Sequence, residues 1–245
     1  MRDNITTSFF RISLRMVWKE ILILSILVLI LSAGRINNAL SLLLLPLLVA
    51  VDYIVDYAIY KKLFYTSVYG DTAPTYMSMP VPVGQMIRGK IGVILLLSVL
   101  TYIMNVAGGC IAQHFHEYSQ FFDVKEYLLF VCGVQEWSLL PVVIGVTAKM
   151  LGSVCGTLFF AMMVFCLIGW YQSFPAGKRR GFFRAVPWIM GIAADIGVSQ
   201  LIKFIAGFAR GSILSELIAI VLYIAATAAI YRYLVRLLEI KYEIN

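Results

Sequence analysis

Residues 91–111 read IGVILLLSVLTYIMNVAGGCI, from Ile91 to Ile111 without one charged side chain. A helix of about 20 mainly apolar residues covers the roughly 30 Å hydrocarbon layer of a bilayer. Lipid offers no partner to backbone amides and carbonyls, so only helices and closed barrels cross it, and this run lacks the period-two alternation of a barrel strand. It therefore reads as a transmembrane helix. Six further stretches have the same character: Val17 to Ala33, Leu40 to Tyr60, Tyr127 to Ala148, Met150 to Tyr171, Val186 to Phe208 and Ile213 to Tyr233.

Composition agrees. Of the 245 residues, 61% are apolar or aromatic and 13% are charged, with a mean hydropathy of +0.89. A soluble domain has about 45–50% apolar and about 25% charged residues. That excludes a water-soluble globule, a disordered tail and a coiled coil. The fold class is all-α integral membrane, and no polar stretch is long enough for a second domain, so residues 1–245 form one transmembrane domain.

The net charge of +7 does not imply nucleic acid, because the basic residues lie in clusters between apolar runs and no basic soluble domain exists to hold them. Clusters of this kind orient membrane proteins with their basic loops inside. Arg2, Arg11, Arg15 and Lys19 precede the first span, Lys61, Lys62, Arg88 and Lys90 follow the second, and Arg232, Arg236 and Lys241 close the chain. Both termini are thus expected in the cytoplasm. In residues 1–16 and just beyond, Arg11, Arg15 and Lys19 recur every four residues, opposite Phe9, Ile12, Met16 and Phe10, Leu14, Val17. That pattern suits an interfacial helix, with a helical extension of the first span as the alternative.

Two cytoplasmic ends require an even number of crossings, so six helices cross and one of the seven stretches does not. Tyr127 to Ala148 contains Glu136 and Pro141 and abuts the next run at Lys149; Val186 to Phe208 contains Asp195, Lys203, Gly191, Gly197 and Gly207. The basic cluster Lys178, Arg179, Arg180 and Arg184 becomes cytoplasmic if the former is the exception. An outer re-entrant segment within 172–212, before the last helix, is the competing topology.

Few residues carry chemistry. Asp52 and Asp56, one helical turn apart in VDYIVDYAIYKK, are intramembrane carboxylates, which face a bundle interior or water. They and Glu136 are candidates for a substrate path or a proton relay; the plainer reading pairs Asp56 with Lys61 or Lys62 and hydrogen-bonds Asp52 inside the bundle. Asp195 and Lys203, two turns apart, suit the outer water interface. His114, His116 and Glu117 lack the further ligand that a zinc site needs, so no metal is expected. Cys110, Cys132, Cys155 and Cys166 show no metal or redox spacing. Asn4-Ile5-Thr6 is a formal glycosylation sequon on the expected cytoplasmic side.

Between the second and third spans, residues 61–91 read KKLFYTSVYGDTAPTYMSMPVPVGQMIRGKI, a long cytoplasmic loop of the kind that contacts something. Gly84 to Ile91 nearly spells a nucleotide-binding P-loop. The final Ser or Thr and the preceding strand are missing, and Ile91 opens a span, so this chain does not bind ATP there.

In that loop, Met79-Pro80-Val81-Pro82-Val83-Gly84-Gln85-Met86-Ile87-Arg88-Gly89-Lys90 resembles the segment "LPVSRxxIVxGK" that follows the second span in permease subunits of type-2 ABC exporters. Pro80, Val81, Gly89 and Lys90 match in register; Met79 stands for the usual Leu, and Pro82-Val83 for the usual Ser-Arg. Asp71 and Tyr76 are similar to the acidic and aromatic residues upstream of the motif. Ser138-Leu139-Leu140-Pro141 with Gly145 and Lys149 resembles "LPLxxxFGxxK", which ends the fourth span of such permeases and makes Val186 to Phe208 the re-entrant segment. The resemblance implies a dimeric permease in the cell inner or plasma membrane, either a homodimer or a pair with a similar permease, and no bond chemistry of its own. Two separate ATPase subunits, binding ATP and Mg, dock on a coupling loop at 61–90, with Tyr69, Asp71, Tyr76, Met79, Pro80, Val81, Gly89 and Lys90 as the coupling residues. The implied function is export of an amphipathic or hydrophobic substrate, of the peptide or antimicrobial class; the alternative is a proton-coupled secondary transporter using Asp52 and Asp56.

Overall fold

The computed structural model describes residues 5–34, 38–66, 68–69, 82–114, 129, 139–172, 186–208 and 212–243. Six α-helices account for nearly all of them: α1 (Ile5–Ala33), α2 (Asn38–Lys61), α3 (Val83–His114), α4 (Leu139–Gln172), α5 (Val186–Gly207) and α6 (Ser212–Glu243). A π-helical turn, Lys62–Thr66, prolongs α2. All six are long and apolar enough to cross a membrane, so the chain is an all-α, multi-pass membrane protein. Asp71, Tyr76, Met79, Pro80, Val81, Glu136, His116 and Glu117 lie outside the described residues, as do the side chains of Ile5 and His114.

Interhelical contacts fix the directions. On α3, Gly89 meets Phe9 of α1 and Gly108 meets Ser32, so α1 and α3 run parallel. Gly152, Gly156 and Gly169 of α4 meet Glu216, Tyr223 and Leu237 of α6, again in parallel. Glycine at these crossings removes the side chain that would hold two helices apart, which is how membrane helices gain dispersion contacts without a hydrophobic drive. Gly152 and Gly156 thus serve packing within the chain. An aromatic seam joins α2 and its π turn to α4: Tyr53 packs edge-on against Phe160 with ring centroids 5.2 Å apart, and Phe64 stacks on Phe165 at 4.7 Å.

Three expectations change. The basic stretch at the N-terminus and the first span form one 29-residue helix, the extension form of the two alternatives. Phe9, Ser13, Val17, Ile21, Leu24 and Val28 make a single buried stripe through both parts, and a break would put that stripe out of phase.

Second, Leu139–Lys149 and Met150 to Tyr171 belong to the same 34-residue helix, α4. Pro141 sits in its first turn, where a missing N–H costs nothing. Lys149 forms an ion pair with Glu216 of α6, so its charge does not end the helix. Leu139 to Lys149 therefore opens a helix, where the type-2 permease pattern has it close one.

Third, α5 is an unbroken 22-residue helix, about 33 Å long at 1.5 Å per residue. A re-entrant hairpin would break inside it. Gly191 packs on Val164, Leu167 and Phe160 of α4, while Ser199, further along, receives a 2.7 Å hydrogen bond from Tyr223 of α6.

One end of the bundle collects the start of α1, the π turn, the start of α3 and the ends of α4 and α6. Exposed Arg11, Arg15, Lys19, Lys61, Arg88, Arg232 and Arg236 lie at or toward this end. Among the described residues the other end carries Lys149 and Lys203.

The Lys149–Glu216 pair is expected to couple α4 to α6 weakly. Its side chains retain 36% and 24% exposure, and partly exposed pairs contribute at most about 1 kcal/mol. A double-mutant cycle with Lys149→Met and Glu216→Gln, read by denaturant unfolding in mixed micelles, should return a coupling near that size. A coupling indistinguishable from zero would mean the pair does not hold the two helices.

Candidate functional site

Mid-bundle polar residues arise at helical spacing on four elements. Asp52 and Asp56 lie on α2, Ser98, Thr101 and Asn105 on α3, Ser153 and Thr157 on α4, and Asp195 and Ser199 on α5. Intervals of three and four residues keep each set on one helix face. The faces converge on two adjoining cavities. One, of about 90 Å³, is lined by Asp52, Asp56 and the α3 residues; the other, of about 310 Å³, by Asp52, Tyr53, Asp56, Thr157, Phe160, Asp195 and Ser199.

Asp56 is 7% exposed and accepts a hydrogen bond from Tyr60 Oη at 3.0 Å on Oδ2. Its Oδ1, and Oδ1 of Asp52, are buried and receive no donor from the described residues. The expected pairing of Asp56 with Lys61 or Lys62 is not formed: Lys62 Nζ instead donates to Glu20 Oε1 of α1 at 2.5 Å, and Lys61 is exposed. Asp195 is 8% exposed and accepts from Tyr53 Oη at 2.9 Å. It belongs to the bundle interior, not the outer water interface, while Lys203 on the same helix is exposed. The structure thus brings Asp195 to Asp52 and Asp56, which adjacent positions alone do not reveal. Ser98, Thr101, Asn105, Ser153 and Thr157 escape a reading that looks for charges; their three- and four-residue spacing in otherwise apolar helices is the signal that finds them.

Three of the lining hydroxyls are turned toward their own helices. Ser98 Oγ donates to Ile94 O at 2.8 Å, Thr101 Oγ1 to Leu97 O at 2.6 Å and Thr157 Oγ1 to Ser153 O at 3.1 Å. A hydroxyl has one proton and two lone pairs, so each offers acceptors to the cavities. Among the described residues no Lys, Arg or His lines either cavity. Nor does any group of three or more His, Cys, Asp or Glu side chains among them come together closely enough to hold a metal ion.

A second cluster forms at the basic end. Lys90, 1% exposed, donates from Nζ to Leu63 O of the π turn at 2.5 Å. Gly89 lies against Phe9 and the backbone of Phe10, and Tyr231 Oη donates to Gly84 O at 3.3 Å. Tyr69 packs its ring near those of Phe64 and Tyr65, 6.1 and 6.2 Å away. Of the coupling residues expected from sequence, Tyr69, Gly89 and Lys90 are described, and all three lie at the basic end of the bundle.

No protein-family model, no curated protein and no solved structure matches the chain.

Proposed function

We propose that the chain is the membrane-spanning subunit of a type-2 ABC exporter, which moves an amphipathic or hydrophobic substrate across the membrane under the power of separate ATPase subunits. The observation that carries this reading is the base of the loop after α2. Gly89 and Lys90, at which the sequence matches the permease motif, are buried contacts among α1, α3 and the π turn. A displacement of the start of α3 would therefore act on several helices at once. In this reading the partner's nucleotide state biases the packing between two arrangements.

The basic end faces the cytoplasm in this reading. Six crossings with α1 entering from inside also place Lys178, Arg179, Arg180 and Arg184, between α4 and α5, on that side. ATP and Mg belong to the partner, two ATPase subunits serve a permease pair, and the inner or plasma membrane is the location. A peptide or antimicrobial substrate follows from the resemblance.

Co-purification tests the reading. The tagged chain in nanodiscs should capture ATPase subunits encoded beside it, and replacing residues 76–83 with a Gly/Ser linker should reduce capture at least tenfold. Absence of capture by the native chain, in detergent and in nanodiscs alike, would defeat it. The second reading, a secondary transporter using Asp52 and Asp56 for proton coupling, is favoured by the cavities that both residues line. It predicts uptake or efflux without ATP that a protonophore abolishes.

A further inference from the structure

We infer that the paired cavities around Asp52, Asp56 and Asp195 form a binding site for an organic ammonium group, so that the transported substrate is a cation. The inference rests on the transporter reading for its purpose but on the chamber alone for its chemistry.

Three carboxylates line the two cavities, and among the described residues no basic side chain joins the lining. Burying a charge without a partner is costly, and buried carboxylate oxygens normally find donors. Asp56, more than nine-tenths buried, and Asp52 line both cavities, and each keeps a buried carboxylate oxygen that receives no donor from the described residues. Tyr60 and Tyr53 spend their hydroxyl protons on Asp56 and Asp195, and Ser98, Thr101 and Thr157 spend theirs on backbone carbonyls. In the larger cavity three carboxylates face one hydroxyl proton not committed to another oxygen in these bonds, that of Ser199, while Asn105 and Tyr102 bring donor groups to the smaller one. The complement of the larger cavity is a positively charged group with several N–H donors.

Size and shape select among cations. A calcium ion requires several oxygens closing to about 2.3–2.6 Å, and among the described residues no three carboxylates gather closely enough to hold a metal ion. The larger cavity, about 310 Å³, is at the lower end of the range for small-molecule pockets, roughly 300–1,000 Å³. Tyr53 and Phe160 meet edge to face on its wall, and an aromatic face attracts an ammonium. A substrate's amine with a few attached carbons fills this space as a bare ion does not.

Benzylamine and its uncharged isostere benzyl alcohol are suitable probes, with the full-length chain in nanodiscs and no ATPase present. Saturation-transfer NMR should give benzylamine an affinity at least tenfold above that of benzyl alcohol. Asp56→Asn and Asp52→Asn should each lower benzylamine binding at least tenfold; Asp52, half-buried, is the variant less exposed to misfolding, and gel filtration reports the fold of both. Equal binding of the two probes, or benzylamine binding unchanged in a folded Asp52→Asn variant, would overturn the site. Thermal stabilisation by sodium or potassium chloride with none by benzylamine would assign the chamber to a bare ion and overturn it equally. ATPase capture is scored separately: benzylamine binding without capture leaves the site standing and removes the ABC reading, and capture without selective binding does the reverse.

Discussion

Gly108→Leu is expected to abolish recovery of folded protein, whereas Gly197→Leu leaves the yield unchanged. A Cβ built on Gly108 would lie 2.5 Å from Ser32 Cβ, 2.8 Å from Leu29 O and 3.0 Å from Ala33 N. Two of those atoms are backbone and cannot rotate away, so α1 as a whole must retreat from α3 along the most extensive helix–helix interface of the bundle. Overpacking costs about 1–3 kcal/mol for modest insertions, and leucine exceeds a modest insertion here. Retreat also pulls Ser32 Oγ from Asn105 Oδ1, now 2.7 Å apart. At the other end, Gly89→Ala meets Phe9 Cβ at 2.7 Å and Phe9 C and Phe10 N at 3.0 Å, and should lower the unfolding midpoint clearly. Gly92→Ala should cost less, because its 2.9 Å neighbour is the Phe10 ring, which can turn. Gly197 has no atom within 4 Å of a built Cβ, and replacing a helical glycine gains up to about 1 kcal/mol of helix propensity. Gel filtration and thermal unfolding of the four variants give the ranking. A monodisperse Gly108→Leu protein with the native midpoint would mean that α1 and α3 do not pack in this register.

The helices were legible because crossing lipid demands a local property, a long apolar run. What resisted sequence reading depended on distant partners. Lys149 resembles a boundary between two spans when only its neighbours are considered; its partner Glu216 lies 67 positions away, and that pair lets α4 continue. Arg11, Arg15 and Lys19 imply a separate surface helix until the buried stripe from Phe9 to Val28 is followed across Val17. Asp52 and Asp56 stood out as intramembrane charges and do line one chamber. Asp195 stood out too, but Lys203 eight residues on suggested an outer face, and nothing local marked Tyr53, 142 positions away, as its donor. Gly89 and Lys90 drew notice only through the resemblance to a motif; their packing of α3 on α1 and on the π turn is visible only in three dimensions.

Lys90 separates packing from coupling. It is buried on the same face of α3 as the core residues Met86, Ile87, Val93 and Ile94, and its ammonium reaches Leu63 O across 27 positions. Lys90→Ala removes both parts. The lost volume costs about 2–5 kcal/mol by analogy with other large-to-alanine core changes, and the Leu63 carbonyl loses its charged donor, worth about 1.5–3 kcal/mol. The thermal midpoint should fall steeply. Lys90→Met keeps most of the volume and removes a buried charge, an exchange that is often neutral or stabilising, so its midpoint should remain near the native one. Both variants nevertheless untie the π turn from α3. Amide exchange at residues 62–69 should accelerate in both, and under the proposed exporter function capture of ATPase subunits should drop at least tenfold in both, even though one of the two proteins is as stable as the native chain. A Lys90→Met protein with native capture and fast exchange would make Lys90 a core residue alone, and would leave the force path from the loop to run through Gly89 and Phe9.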